Sequence, residues 1–173
     1  MIACGERLEV IAVPGVPLIA RGDDLGAIAV GALAAAGITL QGGDVLVVTS
    51  KVVSRAEDRF VDVTTVAPSA EAIALAAATL KDPRLVELVL RESVAISRHG
   101  KHVLIVRHRL GFVGANAGID FSNAVPADAP PGSGPWALLL PVAPDASARA
   151  IRATLERASG AQVELAAPIP HRR

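Results

Sequence analysis

The apolar residues of this chain fall into short runs with two different periods, in no fixed order, and this mixture constrains the fold more than any other feature. Leu25, Ile28, Ala29, Ala32 and Leu33 stand at i, i+3, i+4, i+7 and i+8, which places them on one helical face. Asp23 or Asp24 can cap that helix, and Gly37 supplies its stop. The Val-rich run 45–49 follows the turn Gln41-Gly42-Gly43 and predicts a buried strand. Residues 8–13, 60–66, 94–97, 102–107, 137–140 and 162–165 predict further strands, with a turn at His99-Gly100. Pro68-Ser69 opens an Ala-rich helix to about Leu80. Asp82-Pro83 starts another, with Leu85, Leu88 and Val89 on its face. A last helix is expected over 146–159, ended by Gly160. Helices and strands without strict alternation favour an α+β fold, a mixed sheet with packed helices, over a doubly wound sheet.

The 173 residues are 51% hydrophobic, enough for one sizeable core, so residues 1–173 read as a single domain. Lys plus Arg number 17 and Asp plus Glu number 17, which argues against a nucleic-acid partner. Base stacking has little to work with, since the aromatics are Phe60, Phe112, Phe121 and Trp136. Cys4 has no second cysteine to pair with, which fits a reducing, cytoplasmic setting and outweighs a catalytic reading of that thiol. Glu6 and Arg7 precede any long apolar run, unlike a signal peptide. The uncharged run 25–43 holds Thr39, Gln41 and two final glycines, and falls short of the roughly 20 apolar residues of a membrane span. No membrane partner is expected.

Three groups of residues are candidates for chemistry. His99, His102 and His108 resemble a metal set by count, but no further ligand completes a zinc pattern, and solvated strand-end histidines are the favoured reading. In "VVTSKVVSRAED" a strand ends at Thr49-Ser50-Lys51, and Lys51 and Arg55 stand at i and i+4 of a following helix. Both cations would then project to one side. A phosphate clamp and a capped helix start with a solvated basic face explain this equally well. The third group is "GFVGANAGIDFSN". Its glycines permit close backbone approach, and Asn116 and Asn123 can bond in turns or to a ligand. Asp120 is the only acid between Glu92 and Asp128. Its carboxylate suits a hard cation such as Mg²⁺ or Mn²⁺; the alternative is an Asx-turn. The density of the motif favours a site. Neither G-x-x-x-x-G-K-[ST] nor G-x-G-x-x-G occurs.

Together these pieces resemble the coenzyme F420-0:L-glutamate ligase family, the gamma-glutamyl ligases. The matching stretches are "VPGVPLIARGDDL", "GDVLVVTSKVVSRAE", "KDPRLVELVLRES", "VLIVRHRLGFVGANAGIDFSN" and "LLLPVAPDASARAIR", in order from about residue 8 to about residue 163. The resemblance implies an α+β fold in an intertwined homodimer. It implies GTP as co-substrate, L-glutamate and coenzyme F420-0 as the molecules joined, and Mg²⁺ or Mn²⁺, with K⁺ as a further candidate. Through it, Val16, Pro17, Leu18 and Ile19 lie against the nucleotide, and Ser50, Lys51 and Arg55 contact its phosphates. Asn123 becomes a nucleotide contact and Asp120 a metal ligand. No residue is required as a protein nucleophile. Position 55 is more often Lys in the family; Arg keeps the charge and changes the donor geometry.

The chain also departs from the family. There, an Asp-Thr pair followed by Gly-Arg contributes the remaining metal ligands after the last helix. Here the corresponding region reads "GAQVELAAPIPHRR", an atypical tail over 161–173. The expectation is an N-terminal two-thirds of a ligase, incomplete at its C-terminus, that binds GTP weakly and does not ligate glutamate. A catalytically inactive remnant that binds nucleotide or dimerises is the alternative.

Overall fold

Three helix starts among the described residues are fixed by short polar side chains that accept the free amides of a first turn. A computed structural model describes residues 8–122 and 124–166. Asp24 caps α1 (Leu25–Ala35) by accepting from the Ala27 amide. Ser69 caps α3 (Ala70–Thr79), and Asp82 caps α4 (Pro83–Arg91), with Pro83 where no amide is needed. Between α1 and α3 lies the short α2 (Ser50–Ala56); α5 (Pro144–Ser159) ends on Gly160, whose φ of 71° is left-handed.

The described strands form three small sheets. β1 (Val45–Val47) runs parallel to β7 (Glu164–Ala166), with Leu46 opposite Leu165. β2 (Phe60–Asp62) pairs antiparallel with β6 (Trp136–Leu138). β3 (Ser93–Gly100), β4 (Val103–His108) and β5 (Val113–Ala115) form an antiparallel meander. The class is α+β, as expected. Parallel and antiparallel pairings stay in separate sheets, however, where one mixed sheet was expected.

Two apolar cores support these sheets. Val86, Leu88 and Val89 of α4 pack with Ala72 and Ala76 of α3, Leu104 and Val106 of β4, and Ala117, Ile119 and Ala137. The second core joins Leu33 of α1 to Ile151 and Leu155 of α5 and to Val163. Here α1 approaches α5 closely: a Cβ added at Gly26 would lie 2.7 Å from the Thr154 Cβ.

Several expectations are corrected. Residues 8–13 form no strand, and Leu8 and Val10 are each 87% exposed. β1 is not a buried strand. It sits in a two-stranded sheet with Val45 57% and Val47 62% exposed, whereas a buried parallel strand needs both faces covered. A short apolar run cannot report whether that cover exists. The strand expected over 60–66 stops early because the Asp62 carboxylate accepts from the Thr64 amide and starts a 3-10 turn at Val63–Thr65. The β3–β4 turn falls at Lys101 and His102, two residues beyond His99-Gly100, with His102 at φ 61°. On α4, Val86 is fully buried, while Leu85 is only partly so. No helix among the described residues is long and apolar enough to cross a membrane.

Candidate functional site

The two stretches singled out in the sequence meet in space. α2 starts directly beyond β1, which puts Lys51 in its first turn. The Lys51 Nζ lies 2.7 Å from Asp120 Oδ2 and donates to the Ser122 carbonyl oxygen at 2.9 Å. Asp120 is held from both sides. Its amide and carbonyl bond to Leu138 of β6, at 3.0 and 2.8 Å, and its Oδ1 accepts from the Ser122 amide and hydroxyl at 2.7 Å each. The Asx-turn considered in the sequence is therefore present at Oδ1, while Oδ2 meets the Lys51 ammonium. Burial raises the Asp120 pKa, but hydrogen bonds from Lys51 and Ser122 and the ammonium charge outweigh this and hold it below the usual value.

The glycine-rich loop aims this carboxylate. After β5, Asn116, Ala117 and Gly118 have φ values of 50°, 54° and 67°, three successive left-handed residues that turn the chain sharply. Gly118 also lies against Leu140, where a Cβ would come within 3.0 Å of the leucine Cδ1.

Arg55 goes elsewhere. It is 7% exposed, its Nε donates to the Ile19 carbonyl at 2.8 Å, and its guanidinium sits over the Phe60 ring, 5.3 Å from the centroid. The solvated basic face considered for α2 is thus replaced by one cation reaching Asp120 and one anchoring the loop that precedes α1. In that loop Val16, Pro17 and Leu18 are exposed and Ile19 is buried. Val16 and Ile19 line an apolar cleft of about 620 Å³ with residues 8–13, α1 and β1. Ser50, at the head of α2, is half-buried. Asn123 and Cys4 lie outside the described residues.

His99 and His102 are exposed, and no group of three or more His, Cys, Asp or Glu gathers as a metal site among the described residues. His108 is not a solvated strand-end residue. It is fully buried and stacks on Phe112 with centroids 4.9 Å apart. Nor does it share a strand face with His102, which lies in the turn before β4. The His108 Nδ1 accepts from the Leu110 amide, which assigns the ring proton to Nε2, 3.4 Å from Glu92 Oε2.

Glu92 itself centres a polar cluster that sequence reasoning missed. Arg109 donates to it at 3.0 Å and Arg59 at 3.2 Å, while the Arg59 Nε bonds the Leu140 carbonyl. Burial pushes the Glu92 carboxyl up, but His108, Arg109 and Arg59 overcome this and hold it at about 2. The run "RHRL" was the available signal, three consecutive basic residues at a strand end that need an acid if any of them is buried.

Residues 15–166 match the model of the F420-0:Gamma-glutamyl ligase family. The chain belongs to that family. It is 40% identical over 156 residues to a protein named coenzyme F420:L-glutamate ligase from Methanothermobacter thermautotrophicus, covering 90% of this chain and 59% of that protein. A protein of the same name from Methanopyrus kandleri is 40% identical over 159 residues, covering 90% of this chain and 58% of its own. The one from Archaeoglobus fulgidus is 36% identical over 157 residues, covering 91% and 57%. The chain therefore spans under two thirds of the length of these curated relatives.

Proposed function

We propose that this chain provides the phosphate-facing part of a GTP-dependent ligase that joins L-glutamate to coenzyme F420-0. The observation that carries the reading is the Lys51–Asp120 pair, a cation and an anion from two distant motifs placed 2.7 Å apart beside the head of α2. The family match supports the substrates, through the name its relatives carry.

The chemistry needs such a pair. A carboxylate does not condense with an amine at neutral pH until it has a leaving group. Transfer of the γ-phosphoryl group of GTP to the F420-0 carboxylate makes an acyl phosphate and GDP. The glutamate amine then attacks the acyl carbon; the C–N bond forms, the C–O bond to phosphate breaks, and phosphate leaves while the amine loses a proton. Phosphoryl transfer asks the protein chiefly for positioned charge. Lys51 supplies a partly exposed ammonium, and Ser50 a hydroxyl and an amide at the same helix start. Arg55, tied to Ile19, sets the 16–19 loop against α2, so its role here is to position that loop, and Asn123 completes the proposed nucleotide contacts.

The donor set fits a divalent cation. Asp120 Oδ2 and the Ser122 carbonyl are hard oxygens that already surround a positive charge. Mg²⁺ commonly takes one or two carboxylates, with phosphates and waters filling the rest. Bound there, Mg²⁺ or Mn²⁺ would offset charge on the phosphate oxygens. The reading includes a homodimer, supported by the apolar side chains exposed around the 620 Å³ cleft.

Binding is tested on the chain itself by calorimetry with GTP, ATP and guanosine. GTP is expected to bind, weakly, and more tightly than ATP. Ligation is tested in a chimera that continues after Ala166 with the corresponding remainder of the M. thermautotrophicus relative. Incubation with GTP, Mn²⁺, L-glutamate and F420-0 should give a product one glutamyl residue heavier by mass spectrometry. A folded chimera that forms this product without any nucleoside triphosphate would refute the mechanism.

A further inference from the structure

We infer that Lys51 is a built-in counter-ion that occupies the cation position at Asp120 and must leave it for a divalent metal to bind. The inference rests on the proposed metal role of Asp120 and adds an order of events to it. Three features of the site carry it.

First, the ammonium is coordinated as a cation would be. It touches two hard oxygens from one loop, Asp120 Oδ2 at 2.7 Å and the Ser122 carbonyl at 2.9 Å. Second, those oxygens are pre-set without it. The Asx-turn occupies Oδ1, and the Leu138 bridge fixes the Asp120 backbone, so Oδ2 stays aimed at the site when the lysine departs. Third, the lysine can depart. Its side chain is 38% exposed and belongs to a different element, whereas Arg55 one turn on is buried and bonded in place. An ammonium and a divalent ion cannot share Oδ2 at contact distance, because like charges a few ångströms apart repel. Metal entry thus expels Nζ, and a freed ammonium beside the metal is placed to meet the anion that the metal brings. The same cation first guards the carboxylate and then serves the phosphate.

The consequence is unusual in sign: removing Lys51 should improve metal binding. Mn²⁺ binding by electron paramagnetic resonance, with no nucleotide present, is the first measurement. Lys51→Met should tighten Mn²⁺ about three- to tenfold, the range expected for relief of a partly exposed charge pair. Lys51→Gln is the second variant, and helical circular dichroism confirms that each is folded. Asp120→Asn should weaken Mn²⁺ at least tenfold in either background. The second measurement is acetylation of lysines mapped by mass spectrometry. The chain has three, and Lys51 alone should become more reactive when Mg²⁺ is added, with Lys81 and Lys101 as internal references. Unchanged or weaker Mn²⁺ binding in both Lys51 variants, with Asp120→Asn still harmful, would overturn the counter-ion role and leave the metal reading standing. Mn²⁺ binding indifferent to Asp120→Asn would overturn both.

Discussion

Lys51, Asp120 and Glu92 show three uses of charge in one small chain, and each supports a separate measurement. Lys51→Ala should weaken GTP more than guanosine if, as proposed, the lost contact is to phosphate; equal losses by calorimetry would refute that assignment of Lys51. Asp120→Asn keeps the shape and the Ser122 contacts while removing the charge, so in the chimera it should lower metal-dependent GTP turnover by roughly a hundredfold, the scale of losing metal and acceptor register. Unchanged turnover at limiting Mn²⁺ would count against the assignment. Glu92 speaks to stability. Its folded pKa of about 2 lies below the ordinary glutamate value of 4.5, so its contribution is present above pH 4.5 and is lost as pH falls toward 2. That difference corresponds to roughly 3 kcal/mol. Glu92→Gln should therefore lower the melting temperature at pH 7 and flatten its fall between pH 4.5 and 2, and parallel melting curves for the two proteins would contradict the cluster's role. The sequence exposed the residue types at these places but not their partners. Lys51 and Asp120 stood out separately, yet they stand 69 positions apart, and no local period encodes their contact. Arg55 read equally as part of a phosphate clamp or as a solvated cation, because i,i+4 spacing reports a shared helix side and says nothing about what packs on that side.

The caps of α1, α3 and α4 were all legible, because a cap is a local bargain between one side chain and the next three amides. The tertiary reason for a residue is not local, and Gly26 is an example. Inside a helix glycine costs about 1 kcal/mol relative to alanine, so Gly26→Ala ought to stabilise α1 taken alone. The fold reverses that sign. The new Cβ would stand 2.7 Å from the Thr154 Cβ, an atom no rotamer change can move aside, so α1 and α5 would have to separate. Overpacking of this kind costs about 1–3 kcal/mol. Gly26→Ala should therefore lower stability in urea titrations, and the pair Gly26→Ala with Thr154→Gly should recover it to the wild-type level or above. A single variant as stable as wild type would show that the two helices yield more readily than their packing implies. The strands were less legible for the same reason. A run such as 45–49 has strand character in its own side chains, but whether it ends as a covered or an open strand depends on neighbours that the run does not name.

At the scale of the whole molecule, the two cores are unequally enclosed. The first is wrapped by α3, α4 and the meander, while the second opens into the cleft between residues 8–13, α1 and β1. Leu8, Val10, Ile11, Val45 and Val47 are each more than half exposed around it. Full burial of one such side chain is worth about 1.5–3 kcal/mol, so covering several together outweighs the cost of bringing a second surface to them. Val45 and Val47 share a face of β1, because alternate strand residues point the same way, and both flank Leu46, which packs toward the second core. The expected behaviour is concentration-dependent self-association, with binding of an apolar fluorescent dye at low concentration. Charging the open face alone tests this. Val45→Lys with Val47→Lys should abolish both association in sedimentation velocity and dye binding, while leaving helical circular dichroism intact, because neither side chain contributes to the enclosed core. If the wild-type chain stays monomeric at high concentration and binds no dye, then the cleft is closed in solution by this chain's own residues, and the proposal of a homodimer fails.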